Sequence, residues 1–515
     1  MPRDLVLGSG PSGVAAAAAL IARGREVVML DAGGTMEAAP AALRARMGAQ
    51  EPDEWTADDR AAIRAAPRSA KGGGIHPFGS DFLFHTPERE PLWADRSEVH
   101  ELRPSFAKGG LSNGWGSAVL PYRDEDMDAW PIRASDLAPH YAAVAPILQV
   151  SGRQDDLAAL FPAYAHTADG ALPSSAQATY LLNRLSEKRE KLQSMGLHFG
   201  MASKAVADGC RRCAMCLYGC PYRLIFSADQ AVDALIATGG LDYRPGVLAR
   251  RFEEDGTGVA VHTDGEVVRG NRLFVGTGVL PTALIAARSL GLVGQWLSIK
   301  DSAHFFLPML HRWSAGNPAV EPRHSLVQLF GEMMDPQVDP HLIHVQLYTY
   351  GDSFSADIGR RFGPLAGVGK PLVDWLSRRL IVAQTFLHSD SSPSIGVRIE
   401  GSAGEERLAF KAEPNDRTAA VMRKATRRLA EAARQVGMLA LTPLVRLNPL
   451  GSSFHCGGTF PMREAPVAGE TDILGRPAGF RRVHLIDASV FPSIPASTIT
   501  FSVMANAHRI ATEAA

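Results

Sequence analysis

At 515 residues the chain is too long for one ordinary domain, and 53 basic against 54 acidic residues leave a formal net charge of −1, which removes any electrostatic case for nucleic acid or an anionic membrane. No apolar run reaches the roughly 18 residues of a spanning helix. The first strand candidate starts at Asp4, leaving no room for a signal peptide, so a soluble, cytoplasmic protein is expected.

The N-terminus carries the most chemistry per residue. Asp4-Leu5-Val6-Leu7 is a short apolar strand that runs into Gly8-Ser9-Gly10-Pro11-Ser12-Gly13, and an alanine-rich helix follows from Val14 to Arg23. A second buried strand, Val27 to Leu30, ends on Asp31. In a G-x-G-x-x-G turn of this kind Gly8 permits the tight bend, Gly10 bares the backbone to a pyrophosphate, and Gly13 lets helix and strand pack closely. Phosphates then meet the amides of the helix N-terminus around Ser12, and Asp31 stands where a ribose diol is bound.

Residues from Thr35 to about Gly79 are Ala-, Arg- and Pro-rich, with helical tracts at Ala39 to Met47 and Ala57 to Ala65, and suggest no chemistry. The stretch Lys108-Gly109-Gly110-Leu111-Ser112-Asn113-Gly114-Trp115-Gly116 reads either as a flexible loop or as backbone laid against a flat ring system. Residues 134 to 202 read as helical with polar loops.

Four of the five cysteines fall in Cys210-x2-Cys213-x2-Cys216-x3-Cys220-Pro221, the bacterial ferredoxin spacing. Steps this short wrap thiolates round a compact iron-sulfur cluster, 3Fe-4S or 4Fe-4S, whereas tetrahedral zinc takes two knuckles separated by a longer loop. A loop with free thiols is the alternative. Beyond it come a helix at Ser227 to Thr238, a strand around Val247, a hairpin at Gly258 to His262 and Glu266 to Arg269, and a strand from Arg272 ending on Gly276. Strands at Ser325 to Phe330, His341 to Tyr348, Leu380 to Leu387, Ser394 to Ile399 and Arg407 to Lys411 then precede a helix from Asp416 to Val436, a pattern of antiparallel sheet and helix. His304, His344 and His388 in this layer read as structural.

The chain closes with Ser452-Ser-Phe-His455-Cys-Gly-Gly-Thr459-Phe-Pro-Met462, Val483-His-Leu-Ile-Asp487-Ala-Ser, and Ser493 to Thr500 leading into a helix from Phe501 to Thr512. Together with the N-terminal fingerprint, the 109–116 loop and Asp128-Ala129-Trp130-Pro131, these segments resemble the glucose-methanol-choline (GMC) flavin oxidoreductases, nearest to bacterial sugar dehydrogenase and pyranose oxidase-like members. The resemblance implies an α/β fold with a discontinuous Rossmann-like FAD-binding domain (1–125, 203–299 and 446–515) and an antiparallel-sheet α+β substrate domain (300–445 with a helical linking segment 126–202). It places Gly109, Gly110 and Asn113 against the isoalloxazine, with Asn113 where some members attach FAD through a histidine, so FAD is expected to be non-covalent. Val247 and Gly276 fall on the adenine side and the return to the central sheet, and Asp487 near the pyrophosphate or ribityl chain. His455 becomes the base for an alcohol proton, and the family's second histidine or asparagine falls on Thr498, whose hydroxyl orients oxygen but is no base at neutral pH. Three functions stay open: a dehydrogenase oxidising a sugar, polyol or other alcohol and passing electrons through the cluster to an external acceptor; a dioxygen-using oxidase with a structural cysteine loop; and a flavin lyase or degenerate binding protein.

Overall fold

Five strands form an all-parallel sheet in the order Val483–Leu485, Leu273–Val275, Asp4–Leu7, Val27–Leu30, Leu241–Arg244. Asp4–Leu7 and Val27–Leu30 are buried along their whole length, which is why they read as unbroken apolar runs instead of alternating ones. The computed structural model describes residues 3–65, 76–87, 102–152, 154–162, 164, 172–313, 316–351, 370–401 and 406–514. Parts of the sequence segments Thr35–Gly79 and 126–202 lie outside these residues.

The first helix is Pro11–Ala22, starting earlier than the sequence pattern suggests. Pro11 and Gly13 look like breakers, yet proline at the first helical position loses only an amide that had no intrahelical partner. Its buried alanines let the final helix, Thr500–Ala514, pack against it. Two of the three turn glycines are demanded by this packing. A β-carbon on Gly8, which sits at φ +91°, would lie 2.6 Å from the Gly276 carbonyl oxygen, and one on Gly13 would lie 1.9 Å from the Gly8 carbonyl. Gly13→Ala is therefore expected to destabilise the fold by about 1–3 kcal/mol, read as a lower urea midpoint; an unchanged midpoint would show that the helix can move away without cost.

The second layer is an antiparallel sheet in the order Met438–Ala440, His304–His311, Leu380–Phe386, Ile343–Tyr348, Leu329–Met333, Leu197–Met201, with Arg446–Leu447 also paired to the His304 strand. Helix Thr418–Gln435 covers one of its faces, where Val421 and Leu429 meet Phe305, Val345 and Ile381. A smaller antiparallel sheet, Arg407–Glu413, Ser394–Glu400, Leu297–Asp301, Cys456–Gly457, connects this layer to the segment bearing His455.

Three strands depart from the sequence expectation. Leu197–Met201 is an edge strand inside the segment read as helical. His304–His311 is internal to the sheet although Pro308 lies mid-strand, a residue that argues against such an assignment because it brings no amide to the ladder. The strand expected at 325–330 forms instead at Leu329–Met333, the chain before it pairing through Arg323 with the cysteine loop and through the Gln328 side chain with the Ser175 amide. The expected 258–269 hairpin forms as Val259–Thr263 and Val267–Gly270, with Ala249–Glu254 as a third strand. Among the described residues no helix is long and apolar enough to cross a membrane.

Candidate functional site

The nucleotide turn separates the roles of its glycines. Gly8 and Gly13 are walled in by protein, whereas a β-carbon built on Gly10 meets nothing within 4 Å. That open space lies at the N-terminus of Pro11–Ala22, which has no side-chain cap, so the first-turn amides, Ser12 and Gly13 among them, have no helical partner. Bare backbone, free amides and the helix dipole together fit a pyrophosphate. The Ser12 hydroxyl turns away from this space and packs on Gly276, where a β-carbon would approach it to 2.7 Å.

Asp31 is more deeply committed than its motif suggests. Its carboxylate accepts from the Ser9 amide at 3.2 Å, the Ser9 hydroxyl at 2.6 Å and the Tyr243 hydroxyl at 2.9 Å. Burial pushes its pKa up and these bonds hold it back. Val247, expected on a strand, lies instead in the turn between strands Leu241–Arg244 and Ala249–Glu254, its amide donating to the Asp31 carbonyl at 2.9 Å.

Ser9 also joins the turn to the glycine loop, accepting from the Gly109 amide at 2.8 Å. A β-carbon on Gly110 would stand 3.6 Å from Gly10 Cα, so the two glycine segments face each other closely. Asn113 organises this loop: its amide donates to the Lys108 and Gly110 carbonyls, both at 2.8 Å, and accepts from the Ser227 hydroxyl at 3.0 Å. Ser112, which the sequence did not single out, accepts from the Ala228 amide at 2.8 Å and ties the loop to helix Ala228–Ala237. Asp487 closes the opposite side. It accepts from the Gly278 amide, the Thr282 hydroxyl and the Ser489 amide at 2.9, 2.6 and 2.9 Å, pinning the start of helix Val279–Ser289 with no oxygen left idle.

His455 follows Phe454, which is held at φ +57°, and its own amide donates to the Ser453 hydroxyl at 3.0 Å. That hydroxyl donates at 2.6 Å to Asp301, a buried acid the sequence reading passed over. Strained non-glycine backbone of this kind persists where surrounding contacts impose it. The imidazole stacks on Phe386, with ring centroids 5.0 Å apart, and its buried Nδ1 has no hydrogen-bond partner. Burial, and behind it the neighbouring His344 and His304, push its pKa down to about 3, so it is neutral at pH 7. The Thr498 hydroxyl accepts from the Leu120 amide at 2.7 Å, which commits its oxygen to the backbone.

His304 and His484, down to about 4, and His388 with His455, down to about 3, share this depression through burial. The unfolded chain binds these protons below its ordinary histidine value of 6.5 and the folded chain does not. Stability should therefore fall as pH drops from about 6.5 toward 4, measured by urea midpoints across that range; a flat profile would contradict the buried neutral histidines.

The four thiols of Cys210, Cys213, Cys216 and Cys220 are unpaired and line one cavity with Leu172, Val206, Leu224 and Leu326. Burial lifts Cys213 to about 11 and Cys216 to about 12. Arg212 and Ala214 take positive φ, and the Arg212 carbonyl and Ala214 amide pair with Arg323. Lys204, wholly buried, donates to the Ala202 carbonyl at 2.6 Å, and burial lowers it to about 7. The sulfurs are not gathered as for a single ion: among the described residues, the set whose ligand atoms lie within 4.8 Å of one another is His341, His388 and Asp390. Tetrahedral zinc, with Zn–S near roughly 2.3 Å, would draw its sulfurs to about 4 Å of one another. Cys216 and Cys220 also line a second cavity with Ser112, Asn113 and Trp115 of the glycine loop.

Residues 397–507 match the GMC oxidoreductase family model. The whole chain aligns with the crystal structure of pyridoxine 4-oxidase from Mesorbium loti at a TM-score of 0.59 and 17% identity, covering 100% of this chain and 99% of that one. A search of curated protein sequences finds no match. Residues 397–507 are thus similar to the GMC oxidoreductases, within a mixed α/β fold shared over the length of the chain with a solved oxidase structure.

Proposed function

We propose that the chain is an FAD-dependent oxidoreductase that oxidises a CH–OH group of a sugar, polyol or other small alcohol. The observation that carries this reading is His455, a half-buried neutral imidazole with a buried, idle Nδ1, its backbone amide held by Ser453, within the GMC-matching segment and stacked on Phe386 of the antiparallel sheet. His455 hydrogen-bonds the reacting hydroxyl and takes its proton. FAD, when bound, supplies the two-electron acceptor for the carbon-bound hydride. On this chain Gly10 and the first-turn amides hold the pyrophosphate, Asp31 and Val247 border the adenosine, and Gly109, Gly110 and Asn113 shape the wall beside the ring system. Asp487 keeps the start of helix Val279–Ser289 in place. The parallel sheet is then the core of a discontinuous Rossmann-like FAD domain (1–125, 203–299, 446–515), with 300–445 and 126–202 as the substrate layer.

The fate of the electrons divides two readings. Four unpaired thiols round one apolar cavity, spaced wider than a single ion requires, fit an iron-sulfur cluster, which would supply a one-electron carrier toward an external acceptor. Cys216 and Cys220 stand between that cavity and the glycine loop, which supports such a route. The second reading, transfer to dioxygen, is favoured by the oxidase among the solved structures of the same fold. Anaerobically purified protein is expected to contain iron and sulfide, lost in Cys213→Ser and Cys216→Ser with FAD retained, and to reduce a one-electron dye without peroxide. Stoichiometric peroxide from metal-free protein would decide for the oxidase.

A further inference from the structure

At one end of the antiparallel sheet the register sets the beginning of one strand beside the end of its neighbour. Because His344 stands opposite Phe386, His341, just before strand Ile343–Tyr348, and His388, just after strand Leu380–Phe386, emerge together although they are far apart in sequence. Their imidazoles stack with centroids 3.8 Å apart and planes 17° from parallel. Asp390 turns back on both rings, its Oδ2 lying 3.5 Å from His341 Nε2 and 3.8 Å from His388 Nδ1. One ligand atom from each of the three residues falls within 4.8 Å of the other two.

The turn that carries His388 and Asp390 is held from behind by side chains outside this cluster. Asp339, which is buried, accepts the His341 amide at 2.9 Å on Oδ1 and the Ser391 hydroxyl on Oδ2, and the Arg417 guanidinium lies 3.8 Å from it. The Thr418 hydroxyl donates to the Ser391 carbonyl at 2.9 Å, and the Asn415 amide donates to the Asp390 and Ser392 carbonyls at 2.9 and 3.2 Å. Ser389 pairs twice with Ile494, its amide donating to the Ile494 carbonyl at 2.9 Å and its hydroxyl accepting from the Ile494 amide at 3.0 Å. The backbone is thus fixed before any ligand arrives. The His388 side chain is 4% exposed, but those of His341 and Asp390 are 25% and 46% exposed, so the carboxylate side is open to solvent as an entry path.

We propose that His341, His388 and Asp390 form a binding site for a divalent cation of the zinc type, using none of the residues assigned above to flavin, alcohol or the cysteine centre. Two imidazoles and one carboxylate suit zinc, whereas magnesium and calcium take oxygen ligands. Zinc held at about 2.0–2.2 Å sets neighbouring ligand atoms of a tetrahedron about 3.3–3.6 Å apart, so the present 3.5 and 3.8 Å contacts need only a small closure. His341 binds through Nε2. His388 binds through Nδ1, whose lone pair now accepts the Asp390 amide at 3.1 Å; the ion replaces that donor, and the amide, at an exposed residue, turns to water. Each ring keeps its proton on the other nitrogen, and water fills the fourth position. Through Ser389 and Ile494 the bound ion clamps the end of the sheet to the segment leading into helix Thr500–Ala514.

The test compares the wild-type chain with Asp390→Asn, a change at a half-exposed side chain, both stripped with chelator and titrated with Co²⁺ and Zn²⁺. The cysteines are identical in the two proteins, so metal that they take up cancels in the difference. Wild type is expected to bind about one Co²⁺ per chain more than the variant, with visible absorption from a low-coordinate cobalt centre that Zn²⁺ removes by displacement. Zn²⁺ should raise the melting temperature of wild type by more than that of Asp390→Asn. His341→Gln and His388→Gln should lose the same ion. Equal uptake with identical spectra in wild type and Asp390→Asn overturns the proposal, and so does a difference that appears only at millimolar metal, which marks an adventitious ion only. Should His388→Gln fail to accumulate because its site is buried, the wild type and Asp390→Asn pair decides, with matching circular dichroism as the check that the variant is folded. Neither result bears on the oxidoreductase reading.

Discussion

His455→Ala is expected to slow anaerobic flavin reduction by an alcohol about 10²- to 10⁴-fold while FAD remains bound, the range a positioned general base contributes. Desolvation of its ring and two neighbouring imidazoles keep the residue neutral at pH 7, so its nitrogen lone pair is free to accept the hydroxyl proton. Its backbone is fixed by the Ser453 and Asp301 contacts, which alanine retains, so the loss should fall on the rate and not on folding of the loop. His455→Asn, which refills part of the space against Phe386 without restoring basicity, should be as slow. Thr498→Ala is a useful contrast. Its hydroxyl serves the Leu120 amide, and its removal leaves that buried donor unpaired at a cost of about 1–3 kcal/mol in stability, with a smaller effect on rate. Stopped-flow reduction of the variants side by side checks both statements; His455→Ala reduced within a few-fold of wild type would remove it from the chemistry.

Gly10→Val is expected to yield folded protein with no flavin. The reasoning depends on the difference between the three glycines of the turn. At Gly8 and Gly13 a side chain collides with protein, so substitutions there confound cofactor loss with misfolding. At Gly10 a β-carbon meets no protein atom within 4 Å, so valine points its branch into the space assigned to the pyrophosphate. Circular dichroism should match wild type, and the urea midpoint that of flavin-free wild type, while the absorbance of bound flavin disappears. Retention of full flavin would place the cofactor elsewhere.

What was legible in the sequence was local chemistry. The Asp4–Asp31 segment reads correctly because both strands are buried on two faces and the turn residues sit at fixed offsets, signals contained within a few tens of residues. The cysteine run is legible for the same reason, and the structure brings its four thiols to one cavity. Less legible were features made by long-range pairing. His304–His311 carries a mid-strand proline and polar ends, and only its pairing partners on both sides make it a strand. The His344–Glu332 pair was not legible because nothing near His344 in sequence shows that Glu332 lies directly across the ladder. Asp301 and Ser112 act on segments more than a hundred residues away, as their bonds to Ser453 and the Ala228 amide show. Asp31 was placed by motif, but its present partners, Ser9 and Tyr243, depend on strand Leu241–Arg244 lying alongside Val27–Leu30.

The measurement that tests the flavin-dependent oxidation of an alcohol most directly is an anaerobic absorbance titration of the purified protein with glucose, sorbitol, myo-inositol, pyridoxine and benzyl alcohol as probe alcohols. The result expected is an oxidised flavin spectrum at near-stoichiometric FAD, bleached by at least one alcohol to the two-electron reduced form with matching formation of its carbonyl product. Protein that contains no flavin and takes up none on reconstitution, or that binds FAD and is bleached by dithionite but by no alcohol, would contradict it.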